Sequence, residues 1–204
     1  SAASAEREEA AMPSSARRLA GLWTREFRVR TAALWVVWFC VNFSYYGAFI
    51  WIPSILFAQG YDLVKSFGFT LVITLAQLPG YAIAAWLIEV WGRRLTLAVF
   101  LLGAAVSAGP FGLADTPGTV IAAGMALSFF NLGAWGVLYT YTPELYPLRF
   151  RAFASGWAGA IGRAGGILAP MVVAKMVGGS GGFGNIFMMF AGVMMLIVLV
   201  ILAL

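Results

Sequence analysis

Long apolar runs separated by short charged stretches dominate the 204-residue chain. Six stretches are each long enough to cross a bilayer, which takes about 20 largely apolar residues. Thr31 to Phe57 carries no charge; Phe67 to Ile88 lies between Lys65 and Glu89; Leu95 to Ala114 lies between Arg94 and Asp115. Thr119 to Tyr141 precedes Glu144, Ala152 to Ala174 is interrupted only by Arg163, and Phe183 to Leu204 closes the chain. Gly60, the Asp115-Thr116-Pro117-Gly118 turn and the Gly178 to Gly184 run mark the loops. Pro53, Pro79, Pro110 and Pro170 are placed within or near span ends, where membrane helices tolerate kinks. The expected fold is all-α, a multi-pass membrane protein with a six-helix half-bundle over residues 31–204.

The six spans differ in polarity. The sixth has almost no polar side chain and the third has one serine, so both can face lipid all round, whereas the other four must turn a polar stripe inward. This arrangement predicts two triplets, each ending in a peripheral helix, with Asn42 and Asn131 at related places in their first helices.

Composition adds weight to the membrane reading. The chain is 62% hydrophobic and only 10% charged, where a soluble domain carries about a quarter charged residues. The formal charge of +5 is scattered singly, which argues against a nucleic-acid partner. There is no histidine and one cysteine, Cys40, so His-based metal sites, Ser-His-Asp chemistry and a disulfide framework are excluded. No cofactor, metal or catalytic group is expected. Arg17, Arg18, Arg25, Arg28, Arg30, Arg93, Arg94, Arg149 and Arg151 gather on one side against Lys65 and Lys175 on the other. The positive-inside rule therefore puts both ends of this chain in the cytoplasm of a cell-membrane protein. Residues 1–30 begin without Met and without a signal-peptide core, and read as a cytoplasmic loop segment of a fragment.

Trp38, Asn42, Tyr45, Tyr46 and Phe49 share one face of the first span. Asn42 lies 11 residues past Thr31, roughly 17 Å deep at 1.5 Å per residue, and could line a site for a polar organic solute. Interfacial anchoring of Tyr and Trp is the competing reading. Thr70, Thr74, Gln77 and Tyr81 form a stripe on the second span, and Asn131, Trp135 and Tyr139 one on the fourth, each either a site or interhelical glue. Arg163 lies twelve residues beyond Arg151, about 18 Å deeper, where a charge needs a partner or an anionic solute. Ser155-Gly159 and Gly162-Gly166 place small residues four apart, as close helix contacts do. Glu89, Arg93, Arg94, Glu144, Arg149 and Arg151 fall at one end of the bundle, where ion pairs can bias a two-state gate.

Five short motifs carry a family resemblance. Glu89-Val-Trp-Gly-Arg-Arg94 resembles the cytoplasmic-loop motif of the major facilitator superfamily, although Val90 stands where the motif has Arg. Pro143-Glu-Leu-Tyr-Pro-Leu-Arg-Phe-Arg151 resembles the segment after the tenth span of sugar porters. Ser155-Gly-Trp, Gly162-Arg-Ala-Gly-Gly166 and Gln77-Leu-Pro-Gly-Tyr81 are similar to carriers of the nicotinate, aromatic-acid and synaptic-vesicle-glycoprotein type. The resemblance implies spans seven to twelve of a twelve-span carrier, with an N-terminal six-span half as partner and solute bound between the halves. It leaves protons open as a coupling ion, because the coupling acids of related symporters lie in the other half. The expected function is transport of a small organic solute, a carboxylate or aromatic acid, by alternating access; a sugar is the rival substrate. A self-assembling six-span channel is the rival from another class, and a membrane enzyme would need clustered catalytic groups that the spans lack.

Overall fold

A backbone surrounded by hydrocarbon has no water to satisfy its N–H and C=O groups, so apolar runs of this length close their hydrogen bonds as helices. The computed structural model describes residues 15–50, 52–58, 60–177 and 183–203, and among them finds helices and no strand. Residues 1–14, the loop residues 178–182 and the side chains of Arg17 and Arg18 lie outside the described residues. The helices are α1 (Ser15–Leu22), α2 (Arg28–Phe49), α3 (Ile52–Ala58), α4 (Leu63–Leu75), α5 (Gln77–Trp91), α6 (Arg93–Gly112), α7 (Pro117–Glu144), α8 (Leu148–Val177) and α9 (Phe183–Ala203). Six continuous helical stretches are long and apolar enough to cross a membrane. The second, fourth and fifth overrun their apolar runs at both ends, and α8 reaches 30 residues or about 45 Å, beyond the roughly 30 Å hydrocarbon core. The charged residues in the terminal turns thus clear the apolar layer.

Local chemistry sets the breaks. Pro79 lacks an N–H and crowds the carbonyl four residues back, that of Leu75, which is where α4 ends. The break therefore falls in mid-span. Ser66, Thr70 and Thr74 donate to the carbonyls four residues earlier at 3.0, 2.8 and 2.8 Å, a habit that bends helices. Gly92 adopts φ 81°, ψ 167° between α5 and α6, a backbone region that side chains resist. α7 opens with Thr116 as N-cap, Pro117 in its first turn and a reciprocal pair in which Thr116 and Thr119 each accept from the other's backbone N–H.

The helices pack as two triplets related by an approximate two-fold axis. α2 packs on α8 and α9, α7 packs on α4–α5 and α6, and α6 packs on α9. Exchanging the triplets α2/α4–α5/α6 and α7/α8/α9 maps each of these contacts onto another or onto itself. The symmetry reaches single residues. Gly80 lies seventeen residues after Leu63 and Gly165 seventeen after Leu148. A Cβ on Gly80 would strike the carbonyl oxygen of Phe129 on α7, and one on Gly165 would strike that of Phe39 on α2. These are backbone-to-backbone crossings that only glycine permits.

Two expectations are revised here. α6 does not face lipid all round: Thr96, Leu97, Ala98, Phe100, Leu101, Ala104, Ala105, Ala108 and Phe111 are buried between α7 and α9. Its plain composition reflects small side chains that admit close neighbours. Gly159 has nothing near its Cα, so the contact face of α8 runs through Gly162, Gly165 and Gly166 instead. In addition, the described part of the leading segment is folded: Leu22 and Phe27 are buried, and Phe27 lies 6.0 Å from the Tyr146 ring.

The crossings generate a stability prediction. Gly80→Ala forces helix axes apart and costs about 1–3 kcal/mol, as overpacking does, whereas Gly159→Ala in open space is close to neutral. Thermal unfolding in detergent checks this: a clearly lowered midpoint for Gly80→Ala and an unchanged one for Gly159→Ala.

Candidate functional site

Four aromatic rings bridge α2 and α7. Trp38 sits edge-on to Tyr139 at 4.9 Å and to Trp135 at 6.1 Å; Trp135 lies 5.6 Å from both Tyr45 and Tyr139. Tyr45 also touches Tyr46 at 5.4 Å and stacks on Phe49 at 4.8 Å. Trp38 is buried, Tyr45 and Trp135 are half-buried, and Tyr46 and Tyr139 are exposed. The Tyr46 ring also rests against Gly166 of α8, and that of Tyr81 against Gly136 of α7. The sequence-predicted Tyr45, Tyr46 and Trp135 therefore come together, with Trp38 and Tyr139 completing the cluster.

The polar groups beside this cluster divide unequally between the repeats. Asn42 and Asn131 each lie fourteen residues into α2 and α7, and Gly162 and Gln77 each lie fourteen residues into their own spans. In one repeat, Asn42 nestles against Gly162 and donates its Nδ2 to the Trp38 carbonyl at 2.8 Å. In the other, a glutamine replaces the glycine. Asn131 is 1% exposed and, among the described residues, neither of its amide atoms has a partner; nor, among them, do the buried Gln77 Nε2, Ser128 Oγ and Trp135 Nε1. Ile73 of α4 packs against Gly124 and Gly80 of α5 against Phe129, and Gln77 falls between these two contacts with α7 along the second span. A buried polar group left unpaired costs about 1–3 kcal/mol, so such a concentration marks a place for water or a ligand. Thr70 and Thr74, by contrast, spend their hydroxyl protons within their own helix.

Arg163 is exposed on α8, on the face turned away from α2, and makes no ion pair among the described residues. Ala152, Gly156 and Ala160 share that face, and with Phe153 and Trp157 they line a shallow apolar groove. Trp157 stacks on Trp35 at 6.0 Å, which meets Trp23 edge-on at 5.2 Å, so the leading segment is pinned to the start of α8.

At the arginine-rich end, only part of the expected ion-pair set forms. Arg93 Nε meets Glu144 Oε2 at 2.6 Å, joining the start of α6 to the end of α7. Arg94, the next residue, points about 100° around the helix and donates to the carbonyls of Ile201 and Leu202 on α9. Arg151 donates to the Tyr146 carbonyl at 3.2 Å, and Arg149 lies 4.7 Å from the centre of the Phe150 ring. Glu89 makes no ion pair among the described residues; it shares with Ala85, Ile88, Arg93, Thr140 and Glu144 a recess between α5 and α7. The arginines are thus divided between one carboxylate and several carbonyls, because helix C-termini offer unpaired oxygens that attract cations.

Sequence reasoning missed the bonds that join the first span to the end of the fourth. Trp38 Nε1 donates to Thr142 Oγ1 at 2.8 Å, and Thr142 in turn donates to the Leu138 carbonyl at 2.7 Å. Thr31 donates to the Leu22 carbonyl, so its 2.9 Å contact with the Tyr146 hydroxyl has tyrosine as the donor. Burial pushes the Tyr146 phenol above its ordinary value and keeps it a neutral donor. No periodicity could have found these pairs, whose members are more than 100 residues apart in sequence. Both partners of the Arg93–Glu144 pair are about two-fifths exposed, so the pair is worth only about 0.2–1 kcal/mol. The geometry makes it selective nonetheless. Loss of function in Glu144→Arg is expected to be partly restored by Arg93→Glu and not by Arg94→Glu, measured as uptake in a double-mutant cycle.

Residues 2–204 match the family described as sugar (and other) transporter. The chain is 55% identical over 180 residues to the niacin transporter NiaP of Acinetobacter baylyi, covering 88% of this chain and 41% of that protein. It is 50% identical over 181 residues to the putative niacin/nicotinamide transporter NiaP of Bacillus subtilis, covering 89% of this chain and 45% of that protein. A synaptic vesicle 2-related protein of Xenopus laevis is 27% identical over 181 residues, 78% of this chain and 33% of the other. The chain spans less than half the length of these relatives, the first two of which carry the names of transporters. With six membrane-spanning helices in two repeats and a match along nearly its whole length, the chain belongs to the sugar (and other) transporter family of the major facilitator superfamily.

Proposed function

We propose that this chain is the C-terminal half of a secondary transporter that carries a small aromatic carboxylic acid of the pyridine-carboxylate type by alternating access. The observation that supports this most is the similarity at 55% and 50% identity to proteins named for niacin transport, over a stretch that includes every candidate site residue. The remaining length of those relatives would supply the other six spans and cover the exposed faces of α5 and α8. The arginine-rich end would face the cytoplasm, as the excess of arginines over the two lysines at the other end favours.

The chemistry of the site fits such a solute. A pyridine ring is flat and would stack among Tyr45, Trp135 and Tyr139, whose faces are partly open. A carboxylate accepts hydrogen bonds only. Asn131 Nδ2, Gln77 Nε2 and Trp135 Nε1 are three unpaired donors near that ring cluster. Arg163, exposed on α8 about 18 Å beyond Arg151 along the helix, would supply a positive charge to a carboxylate in a cavity closed by the other half. A sugar would call for more hydroxyl-matching acceptors than this lining offers, so the aromatic acid is preferred. Proton coupling would be decided by acids outside this chain.

Uptake of radiolabelled nicotinate by the full-length protein in vesicles, with and without an uncoupler, tests the reading. The expected result is saturable uptake inhibited by benzoate and not by glucose. Arg163→Gln should raise KM more than tenfold, the worth of a hydrogen bond to a charged group, at normal membrane levels, with Arg163→Lys intermediate. Glucose uptake without nicotinate uptake would favour the sugar reading, and unchanged nicotinate uptake in Arg163→Gln would take Arg163 out of the site.

A further inference from the structure

The first and fourth spans touch sparsely, and what joins them is concentrated toward one end. Among the described residues, the side-chain hydrogen bonds between the first span and the end of the fourth or the loop after it are Trp38 to Thr142 and Thr31 to Tyr146. Both lie on the arginine-rich side of Asn42 and Asn131. On the opposite side, from Tyr46 and Phe49 across to Ser128 and Gly124, no hydrogen bond joins the two helices among the described residues. Trp38 makes three separable contacts. Its ring walls the aromatic cluster against Trp135 and Tyr139. Its carbonyl holds the Asn42 amide. Its N–H reaches Thr142, two residues before Glu144 and its ion pair with Arg93. No other residue described here touches both the ring cluster and the end of the fourth span by a hydrogen bond.

We propose that Trp38 is a positioning residue linking solute to gate: its N–H bond to Thr142 is a clasp that holds the arginine-rich halves of the first and fourth spans together, and it opens when solute leaves toward that end. The burial supplies the switch-like behaviour. Trp38 is 4% and Thr142 1% exposed, so an indole N–H that loses its acceptor without helix movement stays unpaired in an apolar setting. The clasp is therefore either closed, or open with the helices parted and water admitted; the intermediate is penalised. A solute ring that displaces the Trp38 ring from Trp135 or Tyr139 tilts the N–H away from Thr142, which gives binding a route to the gate. This inference rests on the transport reading for its physiological meaning, but its structural content does not.

The test uses the full-length transporter with Cys40→Ala and a reporter cysteine, Ala85→Cys, in the recess beside Glu89 and Arg93. Reaction with a thiol reagent from the arginine-rich side reads how open that end is, and needs no solute. Trp38→Phe keeps a ring and removes the N–H; Thr142→Val keeps the shape and removes the acceptor. Each is expected to raise the labelling rate about fivefold, the worth of one neutral hydrogen bond, and the double variant no further, since both remove the same bond. Thr142→Ser, which retains the hydroxyl, should label at the parent rate. In uptake, Thr142→Val should lower the maximal rate while leaving the KM for nicotinate within twofold. Unchanged labelling in Thr142→Val, or additive effects in the double variant, would overturn the clasp. If Trp38→Phe does not reach the membrane, the comparison of Thr142→Val with Thr142→Ser decides alone. Absence of nicotinate uptake in the parent would sink the proposed substrate and leave the labelling result to judge the clasp.

Discussion

Hydrocarbon gives one apolar helix little reason to prefer another helix over lipid, so this bundle depends on how closely its backbones can approach. The two tightest backbone approaches are Gly80 on Phe129 and Gly165 on Phe39, a symmetric pair that runs between the two repeats. They bind the second span to the fourth and the fifth to the first. Everything placed nearby inherits its position from them: Gln77 three residues before one crossing, Gly162 and Arg163 just before the other. α6 and α9 then close the outer side, with Phe187 and Phe190 buried in the seam and the ring of Phe111 4.8 Å from that of Phe187.

Two repeats built on one plan need not do the same work. Asn42 and Asn131 occupy equivalent places, yet one amide is bound to its own helix and the other has no partner. The difference traces to what faces them, glycine in one repeat and glutamine in the other. Glycine lets the helix come close enough to enclose Asn42 as packing. Glutamine adds a second amide that the protein itself leaves unsatisfied. Symmetry thus supplies the scaffold, and a single departure from it concentrates the polar chemistry in the second repeat's first helix.

Much of the architecture was legible from sequence because the membrane enforces it. Six apolar runs, one of them holding Arg163, had to be six helices, and short loops left few ways to connect them. Two of the loop signals also read correctly: Thr116 and Pro117 start α7, and Gly60 falls between α3 and α4. What sequence could not tell was which polar residues would find partners. Arg94 carries the same charge as Arg93 one position earlier, but the helix turns it toward carbonyls instead of a carboxylate. Alanine-rich α6 looked suited to lipid because a helix without polar groups is compatible with either surroundings; only the three-dimensional arrangement decides. Thr31 and Thr142 gave no pattern at all, and Tyr146 stood only inside a family motif, since their importance lies in partners brought from the far end of the chain.

The turn at Gly92 has a mechanical consequence. With no side chain and a left-handed φ, it reverses the chain so tightly that two arginines emerge in the first turn of α6 and diverge, one to the fourth span and one to the sixth. The turn therefore works as a yoke. Movement of the second span's arginine-rich end therefore pulls on a helix from each side of the other triplet, so the two repeats are geared together at that end.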